Sequence, residues 1–130
     1  MIATQGQVAG LYIGLNLLLT LVLAMLVVRQ RAKTGIGLGD GGNETLRAAI
    51  RAHGNNVEYI AIALPGLLAL SLLGASTFVM HMAGILVTGG RAAHAVGITN
   101  SLTPARQLGT LATWLGILTL AIGCLYYALG

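Results

Sequence analysis

Residues 46–70 read LRAAIRAHGNNVEYIAIALPGLLAL, with an almost unbroken apolar second half and a first half carrying Arg47, Arg51, His53, Asn55, Asn56 and Glu58. Asn43 precedes this stretch as a good helix N-cap, with Glu44 in the first turn. Extended forward to Leu73, the pattern predicts one helix over residues 44–73, about 45 Å long at 1.5 Å per residue. That exceeds the roughly 30 Å hydrocarbon core of a bilayer, so the polar first half is expected to project beyond it. At 100° per residue, Arg47, Arg51, Asn55 and Glu58 fall on one face within about 80°. Glu58 lies about 22 Å from the far end of the helix, which puts it roughly 8 Å inside the hydrocarbon edge. A carboxylate at that depth needs a partner. Arg51 or Arg47 on the same stripe, or an arginine from a neighbouring helix, is expected to supply it.

The rest of the chain agrees with a membrane reading. Of 130 residues, 8% are charged and 56% hydrophobic, and the mean hydropathy is +0.86. A soluble domain carries about 25% charged residues, so a small soluble enzyme or nucleic-acid module is excluded. Helices are predicted at about residues 8–28, 44–73, 77–98 and 104–128, four transmembrane segments in up-down-up-down order within one domain spanning residues 1–130. The first is followed at once by Arg29-Gln30-Arg31 and preceded by no positive charge, the layout of a retained stop-transfer helix and not of a cleaved signal. Pro104 suits the first turn of the fourth.

Seven Lys+Arg against three Asp+Glu give a formal charge of +4. All seven basic residues flank the first or third connection. By the positive-inside rule both termini are therefore expected outside and both basic connections in the cytoplasm. The basic excess needs no nucleic-acid partner to explain it. Cys124 is the only cysteine, so no intrachain disulfide, Cys-based zinc site or CxxC pair is possible, and any thiol chemistry is expected to use a thiol brought by a ligand.

Two motif matches carry little. Gly37-Leu38-Gly39-Asp40-Gly41-Gly42 spells G-x-G-x-x-G, but that fingerprint belongs between a strand and a helix, and here it follows a transmembrane helix. Asn43-Glu44-Thr45 spells a glycosylation sequon on the expected cytoplasmic face. Flexible loop and helix cap are the better readings.

The third predicted helix adds Arg91 and His94, three apart and so on one face, and Arg106 stands at the same level in the fourth. Arginine suits bidentate grip on carboxylates and stabilises a nearby thiolate. Arg29, Arg31, Arg51, Arg91 and Arg106 around one carboxylate describe a cytoplasm-facing pocket for a small polyanion. The plainer readings are headgroup anchoring for Arg29, Arg31 and Lys33, and an interhelical salt bridge for the Arg51, Asn55 and Glu58 stripe. His81 reads as a packing or interfacial residue, and Met80, Met82, Trp114, Tyr126 and Tyr127 read as core and interface-belt residues.

These residues resemble a known family. Residues 44–73, with the core Arg51-Ala52-His53-Gly54-Asn55-Asn56-Val57-Glu58-Tyr59, resemble the second-helix signature of the MAPEG family, the membrane-associated proteins in eicosanoid and glutathione metabolism. Gly90-Arg91-Ala92-Ala93-His94 is similar to its third-helix motif, Arg106 after Pro104 to its fourth-helix arginine, and the Gly-Asp-Gly-Gly loop to its small bacterial inner-membrane branch. The resemblance implies a homotrimer of four-helix subunits with glutathione bound between neighbours near the cytoplasmic face. It places Arg29, Arg51, Asn55, Glu58, Arg91 and His94 at the glutathione site and gives Arg106 the catalytic role of stabilising the glutathione thiolate. The chain departs from the eicosanoid-synthesising members in having Gly54 in place of an arginine, and Ile98 and Thr110 in place of tyrosines.

The expected activity is that of a glutathione-dependent transferase or peroxidase, acting on an apolar electrophile or lipid hydroperoxide from the bilayer. The alternative is a non-catalytic lipid- or partner-binding membrane protein on the same scaffold. A small proton-coupled exporter fits less well, because its glutamate belongs in the first helix, whereas Glu58 is in the second and is expected among arginines that favour its ionised form.

Overall fold

The computed structural model describes residues 4–130. Residues 1–3, the start of the expected outer N-terminus, lie outside the described residues. Four helices account for nearly all of it: α1 (Gln5–Thr34), α2 (Glu44–Leu72), α3 (Thr77–Thr99) and α4 (Thr103–Leu129). Their short connections make an antiparallel bundle. One end carries the termini and the α2–α3 turn, and the other, the basic end, carries the α1–α2 and α3–α4 connections.

The helix limits follow from local chemistry. Thr4 and Gln7 form a capping box, the Gln7 amide donating to the Thr4 hydroxyl at 3.3 Å and the Thr4 amide to the Gln7 side chain at 2.8 Å. α1 runs six residues beyond the expected end at residue 28. That limit was the edge of the apolar run. Nothing from Arg29 to Thr34 breaks a helix, and the stop is Gly35 in the left-handed region at φ 70°. Asn43 caps α2, accepting from the Leu46 amide at 2.9 Å. At the far end Gly74 takes φ 70°, and the Ala75 amide reaches back to the Leu70 carbonyl at 3.0 Å. Pro65 sits inside α2, where its missing N–H leaves the Ala61 carbonyl without its helical donor.

By length and composition α1, α2 and α4 are each long and apolar enough to cross a membrane. α3 is diluted by His81, Arg91, His94 and its glycines. It nevertheless lies along α4 over its whole length. A Cβ at Gly90 would meet the Thr113 hydroxyl at 2.6 Å and the Gly109 carbonyl at 2.8 Å, one at Gly97 would strike the Arg106 backbone, and one at Gly116 would lie 2.7 Å from Val87. Glycine at these positions is what lets the two backbones touch. α1 packs on α2 and α3, and α2 packs on α4.

The core at the terminal end is apolar, built from Val8, Tyr12, Leu67, Leu70, Met80, Val87 and Leu120. Polar side chains pin the helices inside it. Asn16 donates to Thr88 at 2.8 Å, Asn56 donates to Thr20 at 2.9 Å, and the Tyr12 hydroxyl meets His81 Nδ1 at 2.8 Å. His81 thus packs as expected, but with a polar partner. Most remaining large apolar side chains, from Leu17 and Leu18 to Leu125, are exposed on the outside of the bundle, as a lipid-facing surface requires.

Candidate functional site

The loop at the basic end is built by charge and glycine together. Arg31 Nη1 donates to the Ile36 carbonyl at 3.1 Å and the Gly39 carbonyl at 3.0 Å. Gly39, Gly41 and Gly42 supply the positive φ angles of the turn. Arg47 Nε donates to Asp40 Oδ2 at 2.7 Å, the one ion pair among the described residues, and the Gly42 amide donates to Asp40 Oδ1 at 2.9 Å. The Arg47 hydrogen bond, and then the Gly42 amide, hold the Asp40 carboxyl below the usual carboxylate range. Stability from a lowered carboxyl is present above its unfolded value and is lost as pH falls through the folded one. The loop is therefore expected to keep its closed form through the ordinary carboxylate range and to loosen only in more acid solution, read as a shift of the Gly42 amide resonance that Asp40→Asn produces at neutral pH.

Above this loop α2, α3 and α4 enclose a cleft of about 440 Å³, lined by Glu44, Arg47, Ala48, Arg51, Asn55, His94, Ile98 and Arg106. Glu44, Arg47, Arg51 and Asn55 come from one stripe of α2. From Arg47 to Asn55 the stripe runs about 12 Å. His94 comes from α3 and is 8% exposed. Arg106 comes from the first turn of α4, set close against α3 by the contact at Gly97. Three arginines and an asparagine amide against one glutamate make a wall of hydrogen-bond donors with a single acidic position, at the start of α2.

Of the residues the sequence singles out, Arg51, Asn55, His94 and Arg106 meet in this cleft. The others do not. Arg91 is 1% exposed and lies behind the cleft wall. Its Nε donates to Thr113 at 2.9 Å and its Nη1 to Asn55 at 2.7 Å, and its guanidinium carbon lies 4.3 Å from the centre of the Tyr59 ring. Arg31 is used by the loop. Arg29 is exposed on α1, and α1 makes no packing contact with α4.

Glu58 is exposed and forms no ion pair among the described residues, against the expectation that Arg47, Arg51 or an arginine from a neighbouring helix would pair with it. The reason is rise along the helix. Glu58 lies within about 20° of both Arg47 and Arg51 in azimuth, but seven residues and about 10.5 Å beyond Arg51, past the cleft that those two line. The arginines expected to surround it belong instead to the cleft, to the loop, to the protein interior and, for Arg29, to the exposed surface of α1.

The sequence reading missed Glu44, Arg47, Ala48 and Ile98 as cleft-lining residues, and Tyr59, Thr113 and Trp114 around Arg91. Glu44 and Arg47 left a signal in sharing the stripe of Arg51 and Asn55, and Thr113 left one as a hydroxyl seven residues beyond Arg106 and on nearly the same helix face. Gly54 has nothing near the position a Cβ would take, so open space stands where the resemblance implies an arginine.

A model of the MAPEG family matches residues 9–126. The chain is 39% identical to inner membrane protein YecN of Escherichia coli over 121 residues, which cover 93% of the chain and 92% of the relative, and a second strain's protein of that name matches equally. No solved structure matches the chain.

Proposed function

The chain belongs to the MAPEG family, and from that premise we propose that it is a glutathione-dependent transferase or peroxidase of the inner membrane, with the thiolate of bound glutathione held by Arg106. The observation that carries this reading is the donor-lined cleft of about 440 Å³ at the basic end of the bundle. An extended tripeptide spans at most about 11 Å, close to the roughly 12 Å from Arg47 to Asn55 along α2. Glutathione offers two carboxylates and one ammonium. Arg47, Arg51 and Asn55 suit the carboxylates, Glu44 suits the ammonium, and Arg106 is left for the sulfur.

A free thiol titrates near 8.5, and a neighbouring guanidinium stabilises the thiolate. In the transferase reaction that thiolate attacks an apolar electrophile, forming a carbon–sulfur bond as the leaving group departs. In the peroxidase reaction it attacks the outer oxygen of a lipid hydroperoxide. The O–O bond breaks, a proton completes the alcohol, and the sulfenic acid condenses with a second glutathione to give the disulfide and water.

The assembly proposed is a homotrimer with basic connections cytoplasmic and termini periplasmic. Its support is the exposed Glu58, unpaired among the described residues, which a neighbouring copy would cover, and the outward Arg29, which would complete a neighbour's site.

Glutathione at a hundredfold excess over its dissociation constant is expected to stabilise the detergent-solubilised protein by about 2.7 kcal/mol, read as a rise in melting temperature. Absence of both this rise and a thiolate absorbance band would sink the reading. The non-catalytic alternative is favoured by one feature: Ile98 presents an apolar side chain to the cleft where the resemblance implies a tyrosine hydroxyl. Native mass spectrometry with and without glutathione separates the two, since a lipid binder retains lipid and ignores the peptide.

A further inference from the structure

Asn55 belongs to two environments at once. It lines the cleft, and it accepts from Arg91 at 2.7 Å. A guanidinium has donors only, so the atom facing Arg91 is the amide oxygen, and the Asn55 NH₂ is free to donate elsewhere. This assignment holds only while the guanidinium is fixed.

Two groups outside the cleft fix it. The Thr113 hydroxyl spends its one hydrogen on the Gly109 carbonyl at 2.8 Å, so its oxygen presents lone pairs to Arg91 Nε at 2.9 Å. Tyr59 lies under the guanidinium plane, and its own hydroxyl is held by Trp114 Nε1 at 2.9 Å. Thr113 is fully buried, and no carboxylate pairs with Arg91 among the described residues.

We propose that Arg91 is a positioning residue, fixed by Thr113 and by the Tyr59–Trp114 pair, which holds the Asn55 amide as a dedicated donor to an acceptor oxygen of the bound thiol peptide. The inference rests on the glutathione reading for the identity of that ligand. It assigns the inner end of the cleft to a carboxylate or carbonyl oxygen and excludes an amine there.

The test uses the full-length protein in detergent and glutathione as the probe. Thr113→Val is expected to weaken glutathione binding about tenfold, the order set by loss of one hydrogen bond to a charged group. The thiolate absorbance per bound glutathione stays unchanged, because Arg106 is untouched, and Thr113→Ser restores the affinity. Asn55→Asp gives Arg91 a carboxylate but turns the donor into an acceptor, so it abolishes binding without lowering the melting temperature. Wild-type affinity in Thr113→Val, or intact binding in Asn55→Asp, overturns the proposal while leaving the glutathione reading in place.

Should the wild-type protein fail to bind glutathione, the functional reading falls and the positioning claim is decided by a measurement without ligand. The Arg91 Nε–H resonance is expected to exchange slowly with water in the wild type and in Thr113→Ser, and rapidly in Thr113→Val. Equal exchange in all three overturns the claim.

Discussion

Arg106→Ala is expected to abolish the thiolate absorbance of bound glutathione and to lower the rate of conjugation by about 10² to 10³, the usual loss when one preorganised charge stabiliser is removed. Arg106 stands in the first turn of α4, where the partial positive charge of the helix N-terminus adds to its own. Arg51, Asn55 and His94 line the cleft with it, and His94 is nearly buried. A lysine keeps the charge but loses the planar fork, so Arg106→Lys should retain part of the thiolate band. Glutathione affinity should fall less than the rate, because in the proposed binding mode Arg47, Arg51 and Asn55 would still hold the peptide. Stopped-flow absorbance on mixing protein with glutathione reads the band directly. A full-strength band in Arg106→Ala would move the thiolate role to another residue.

Gly109→Ala is expected to cost about 3 kcal/mol of stability, the upper end of the overpacking range, and to disable the cleft with it. The added methyl would run into the His94 amide nitrogen and lie 2.6 Å from the Gly90 carbonyl. Both are backbone atoms, so no side-chain rotation relieves the clash. α3 and α4 must separate, and His94 and Arg106 ride on those two helices. Gly90→Ala should behave alike, its methyl meeting the Thr113 amide at 2.7 Å. Gly54→Ala is the contrasting case: nothing stands near its Cβ position, and alanine is worth up to about 1 kcal/mol over glycine within a helix. Thermal melts of the three variants in one detergent should therefore show two large losses and one neutral or positive change. Equal melting temperatures would mean that the α3–α4 seam is looser than its geometry.

Much of this was legible in the residues. Lengths of apolar sequence located the helices, Asn43 and Pro104 marked two of their starts, and the one-sided placement of Arg and Lys set apart the end where the cleft is found. The spacing of Arg51 and Asn55, and the levels of His94 and Arg106, were enough to bring those four to one place. The partners of Arg91 and the surroundings of Glu58 were not legible there. Helical periodicity tells which residues share a stripe, but not which neighbour the stripe faces.

Composition and periodicity by themselves determined that the chain is a bundle of apolar helices with its basic residues at one end, because burying backbone in lipid and keeping arginine near water leave few alternatives. Only the tertiary structure decided which arginine does what. The glycines of α3 and α4 bring those backbones into contact at one rotation, and that rotation turns Arg91 inward onto Thr113, Asn55 and Tyr59. The same packing leaves Arg51 and Arg106 lining the cleft and Glu58 exposed further along α2. Such choices depend on the close fit of two surfaces, and a single strand of sequence records only one surface at a time.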